Sequence, residues 1–139
     1  MSNMKQKWVK PEIEHGKMTK YNYIVQYPKN FSMGINFDIG EFTYINAEYG
    51  VSIQDNVQIG SHCAIYSNST IDNKKGPVIL QKNCKIGTHS TIMPGLTIGE
   101  NSIVAAYSFV TKNIPNDEIW EGIPAKFKKK LTSKNRPKL

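Results

Sequence analysis

The aliphatic residues of this chain recur at a step of six. Ile53, Ile59, Ile65 and Ile71 form one run, and Leu80, Ile86, Ile92, Ile98, Val104 and Val110 form a second. Ile39 and Ile45 extend the step toward the N-terminus as an earlier, less regular rung. An α-helix cannot use this period, because 3.6 residues per turn carry every sixth position around its axis. A short strand followed by a corner can.

The other places of the hexad agree with strand and corner. Glycine often follows the aliphatic residue, at Gly40, Gly60, Gly87 and Gly99. The third place is rich in asparagine (Asn56, Asn68, Asn83, Asn101, Asn113), with Gly95 there too and with His62 and His89 in the same position. These residue types tolerate the left-handed backbone of a tight corner. A small or branched residue follows at Val57, Cys63, Ser69, Cys84, Ser90, Ser102 and Ser108. Three hexads close one triangular coil, and coils stack about 4.8 Å apart, as paired strands do. The pattern predicts an all-β fold, a left-handed parallel β-helix over residues 31–115. Residues 1–30 lack the repeat but carry Trp8, Tyr21, Tyr23 and Tyr27, enough for a cap over the first coil. Residues 116–139 form a C-terminal segment with a basic tail.

The period also assigns corners. Taking 53, 59 and 65 as one coil, 71, 80 and 86 as the next and 92, 98 and 104 as the third, His89 stacks one coil above Asn68. It then shares a corner with Ala105 to Tyr107, and His62 falls at a different corner. Between Ile71 and Leu80 the step lengthens through Asp72-Asn73-Lys74-Lys75-Gly76-Pro77, a polar excursion of the kind that carries function on rigid scaffolds.

Composition adds little to this reading. An apolar share of 39% suits a solenoid, in which each rung buries one inward stripe. The net charge of +7 suggests nucleic acid until its distribution is considered. The whole excess lies at Lys126, Lys128, Lys129, Lys130, Lys134, Arg136 and Lys138, as expected of a solvated, partly disordered tail. Cys63 and Cys84 fall at inward places and read as packed thiols, neither disulfide nor metal pair. No apolar run is long enough for a membrane span or a signal-peptide core, so a cytoplasmic protein is expected.

The second half resembles the hexapeptide-repeat acyltransferases, a family of sugar O- and N-acetyltransferases. The resemblance rests on Ile86-Gly87-Thr88-His89-Ser90-Thr91-Ile92-Met93-Pro94-Gly95-Leu96-Thr97-Ile98-Gly99. It continues in Ser108-Phe109-Val110-Thr111-Lys112-Asn113-Ile114-Pro115 and Gly122-Ile123-Pro124-Ala125-Lys126. It implies acetyl-CoA as acyl donor, a sugar or sugar nucleotide as acceptor, and a homotrimer with active sites between neighbouring β-helices. It places pantetheine near Ala105 and Ala106, the nucleotide end near Thr111, Lys112 and Lys126, and a substrate-orienting asparagine at Asn68. The family's loop histidine is missing from 72–77.

Proton transfer in such a reaction favours a base titrating near neutrality. His89 is the first candidate and His62 the second; Asp72, or no protein base for an amine acceptor, completes the set. The expected acceptor is the amino group of a nucleotide-linked aminodeoxy sugar, with a sugar hydroxyl as runner-up. A zinc enzyme of the γ-carbonic anhydrase kind lacks its paired histidines here. A non-enzymatic β-helix module is the alternative of another class.

Overall fold

The computed structural model describes residues 7–132. The expected parallel β-helix of hexapeptide repeats is the observed architecture, with three parallel walls of short strands. The first wall stacks Ile24–Gln26, Tyr44–Asn46, Ala64–Tyr66, Thr91–Ile92 and Phe109–Val110. The second stacks Phe31–Met33, Val51–Ile53, Val78–Leu80 and Thr97–Ile98. The third stacks Asp38–Ile39, Gln58–Ile59, Lys85–Ile86 and Ile103–Val104, and ends in the hairpin Glu118–Gly122 and Ala125–Lys130. The chain visits the walls in turn, so each strand pairs with the one a full coil later.

The pairing corrects the expected register. Ile53 aligns with Leu80 and Ile98, Ile59 with Ile86 and Val104, and Ile65 with Ile92 and Val110. Ile71 belongs to no wall; it is 99% exposed. The reason lies at Ser67, which takes the inward place expected of Ser69 and donates its hydroxyl to Asn46 O at 2.7 Å. The chain leaves the coil after Ser67 and returns at Gly76, whose N–H donates to Ser67 O. Between them, Asn68–Ser69 and Lys74–Lys75 pair as a two-stranded antiparallel ladder. The excursion is therefore longer than the gap in the repeat suggests, and it removes one apparent rung from the count.

Parallel pairing begins at Ile24, aligned with Tyr44. Before it, the N-terminal segment is tied down by Trp8, which donates its indole N–H to Phe37 O and packs edge-on against the Phe37 ring. His15 accepts the Tyr27 N–H at Nδ1 and so anchors this segment. At the other end, the basic tail is an ordered strand through Lys130, where disorder was expected. Lys128 pairs with Glu121 at 3.1 Å and Lys130 with Glu118 at 3.9 Å. Lys134, Arg136 and Lys138 lie outside the described residues.

The core is one column of aliphatic side chains. Ile45, Ile53, Ile65, Leu80, Ile92 and Ile98 are fully buried, each contributing about 1.5–3 kcal/mol by removal from water. Cys63 and Cys84 are buried and unpaired, in line with packed thiols. No helix among the described residues is long and apolar enough to cross a membrane.

Candidate active site

The corner between the third and first walls collects the chemistry. It is built tightly. Gly87 sits just past the strand Lys85–Ile86, where a Cβ would lie 2.5 Å from Ala106 N of the next coil. Next comes a residue in the left-handed region: Phe42 (φ 65°), His62 (58°), His89 (59°) and Tyr107 (60°) in successive coils. A shared backbone conformation at one coil spacing brings the four rings into a column. The His62 and His89 rings stack at 4.7 Å and 5°, and His89 and Tyr107 at 4.8 Å and 7°. Phe42 tilts against His62 at 5.3 Å.

This arrangement overturns the expected placement of the histidines. His89 stands over His62, not over Asn68, and the two histidines share one corner. Its coincidence with the corner of Ala105 to Tyr107 holds. The two rings differ in how they are held. His89 Nδ1 lies 2.8 Å from Thr88 Oγ1, while His62 has ring contacts and no side-chain hydrogen bond among the described residues. At the foot of the column a groove runs past Asn22, Glu41, Phe42 and Ser61 to His62.

Asn68 and Asp72 lie at a different corner, beyond the far end of the first wall. Asn68 is a strand residue of the excursion, paired with Lys75, and it does not adopt the positive φ of a corner asparagine. Its Nδ2 donates to Glu48 Oε2 at 2.8 Å, and its buried Oδ1 has no partner among the described residues. Asp72 accepts the Ser69 hydroxyl and pairs with Lys74 at 3.8 Å. Within one chain, the strand Ala64–Tyr66 separates this pair from the histidine column.

The residues expected to meet the acyl donor are likewise spread. Ala105 has spent its backbone groups inside the β-helix: its N–H donates to Trp120 O and its carbonyl accepts Ser90 Oγ. Ala106 is exposed, and neither its N–H nor its carbonyl has a partner among the described residues. Thr111 and Lys112 follow the first wall's last strand, and Lys126 is exposed on the C-terminal hairpin.

Counting the hexad places from Ile39 and Val104 would have found Phe42 and Tyr107, since both occupy the third place. Glu48 and Thr88 carry no such signal, because their roles arise from contacts between coils. Burial pushes the Cys63 thiol above its ordinary value and the Cys84 thiol up to about 12, so neither is a nucleophile near neutral pH. Among the described residues no group of three His, Cys, Asp or Glu side chains could hold a metal ion.

A coil of six-residue units with histidines stacked along one corner defines a hexapeptide-repeat β-helix protein. Residues 77–112 match the family described as bacterial transferase hexapeptide (six repeats), confirming the resemblance seen in the sequence. The chain is 32% identical over 130 residues to the galactoside O-acetyltransferase of Escherichia coli K12, covering 83% of this chain and 64% of that protein. It thus spans less than two thirds of that relative's length. Two solved structures share the fold at comparable identity. One is a hexapeptide-repeat acetyltransferase of Vibrio cholerae complexed with acetyl coenzyme A (25% identical, TM-score 0.74, 80% of this chain and 66% of that one). The other is a galactoside acetyltransferase in complex with coenzyme A (26%, TM-score 0.69, 81% and 60%).

Proposed function

We propose that this protein transfers acetyl from acetyl-CoA to a sugar, with His89 as the general base. One observation carries the proposal: His89, the one of the two stacked histidines held by a side-chain hydrogen bond, shares a corner with Ala106, whose backbone has no partner among the described residues. The amides of a pantetheine arm fit backbone groups that lack partners among the described residues, and of two similar solved structures one holds acetyl coenzyme A and the other coenzyme A. Lys112 and Lys126 are exposed cations suited to CoA phosphates. His89 accepts the proton that the acceptor loses as it attacks the thioester carbonyl; the C–S bond then breaks, and CoA leaves as its thiol with that proton.

The finer proposal is an amino group of a nucleotide-linked aminodeoxy sugar. An amine becomes nucleophilic on losing one proton near neutrality, which suits a site whose excursion loop carries no histidine. A sugar hydroxyl is the second reading, favoured by the relative named for O-acetylation. Asn68 and Asp72 are proposed to orient the acceptor. Because they lie across the first wall from His89, the site is proposed to form between copies in a homotrimer.

The test is release of free CoA from acetyl-CoA across a panel of aminodeoxy sugar nucleotides, galactosides and maltose. Turnover with an amino sugar nucleotide alone supports the finer reading, and turnover with a galactoside alone supports the second. No turnover with any acceptor would favour a non-enzymatic β-helix module.

A further inference from the structure

The hydroxyl of Thr88 lies within reach of three partners. It is 2.8 Å from the Ser61 carbonyl oxygen, 2.8 Å from His89 Nδ1 and 3.2 Å from Ser61 Oγ. A threonine hydroxyl has one hydrogen to give and two lone pairs to receive. The Ser61 carbonyl can only accept, so the single hydrogen goes to it. Both remaining partners must then donate: Ser61 through its own hydroxyl, and His89 through a proton on Nδ1. This assignment satisfies every group at the cluster. The Ser61 carbonyl also accepts the His89 N–H, so the reverse assignment would not orphan it; but with Thr88 donating to a bare Nδ1, two oxygens would face each other at 2.8 Å with no hydrogen between them.

We propose that Thr88 and Ser61 form a positioning relay that fixes neutral His89 as the Nδ1–H tautomer, leaving Nε2 as the atom that takes the proton. The relay spans two coils, since Ser61 and Thr88 are stacked corner residues joined by Thr88 Oγ1 and by His89 N–H, which also donates to Ser61 O. It therefore uses the repeat itself as its frame. The rings of His62 and Tyr107 on either face hold the imidazole plane. The hydrogen bond at one ring nitrogen sets the chemistry available at the other. His62 has no such partner among the described residues, and this separates two histidines that share a corner and a backbone conformation.

The tautomer is independent of any catalytic reading; only the effect on turnover rests on the proposed acetyl transfer. Long-range nitrogen–proton NMR on protein labelled at histidine nitrogens, at a pH where His89 is neutral, reads it directly. The His89 signals are assigned by their loss in His89→Gln. The Nδ1–H form should dominate by about tenfold, the ratio one ordinary hydrogen bond supports. In Thr88→Val the excess should fall toward parity, and Thr88→Ser should restore it. With an acceptor in hand, Thr88→Val should lower kcat by about tenfold at unchanged KM for acetyl-CoA, again rescued by serine. An Nε2–H majority in the wild type, or a ratio indifferent to Thr88→Val, would overturn the relay. The wild-type ratio decides by itself should the valine variant fail to fold. A correct tautomer without turnover on any acceptor would leave the relay standing and sink the acetyltransferase reading instead.

Discussion

His89→Ala should lower kcat by about two to four orders of magnitude, the range a positioned general base supplies, and leave the fold intact because the ring is exposed. His62→Ala should cost far less, since that ring only flanks His89 and has no side-chain hydrogen bond among the described residues. Steady-state rates of the two variants against one acceptor check this directly. Full activity in His89→Ala with loss in His62→Ala would reverse the assignment. The third hexad place marked both histidines in the sequence, and the corner count put His89 first because of a stacking over Asn68 that the structure overturns. What ranks them is Thr88, whose hydroxyl reaches a neighbouring coil, and such a contact has no periodic signature.

At the scale of the element, the six-residue step revealed the fold and then misled at one place. Ile71 continues the period perfectly, yet it sits at the tip of an inserted ladder because Ser67 already fills the inward position. Hydrophobic spacing alone cannot tell a rung from an excursion that happens to keep step. The consequence is measurable. Ile71→Ser should change unfolding free energy by no more than about 0.5 kcal/mol, as for an ordinary surface site, whereas Ile92→Ala should cost about 2–5 kcal/mol. Denaturant titration of both variants tests the register; a large loss at Ile71 would restore the naive count. Gly87 makes a further prediction at this scale. A Cβ there meets the backbone of Ala106, which cannot swing aside as a flexible side chain would, so Gly87→Ala should destabilise by about 1–3 kcal/mol. It should also distort the corner that carries His89.

At the scale of the whole molecule, the fold separates what the chemistry is proposed to join. His62 and His89 precede the first wall's strands, and Asn68 and Asp72 follow them. Between lies the strand Ala64–Tyr66, about 10 Å of extended chain at the usual rise per residue. A β-helix core of close-packed aliphatic side chains cannot bend to close that distance. If one acceptor is to meet both groups, the two corners must come from different copies, with the Asn68 corner of one facing the His89 corner of the next. That geometry predicts complementation. His89→Ala and Asp72→Ala homo-oligomers should each be impaired. Subunits of the two, unfolded together and reassembled, should regain activity, because some mixed interfaces pair an intact His89 with an intact Asp72. For random assembly of equal amounts, the recovered fraction should approach one quarter of the wild-type sites. Sedimentation should show a trimer throughout. Reassembled mixtures no more active than their parents would confine the site to one chain. The groove that ends at His62 would then be the place to seek the acceptor.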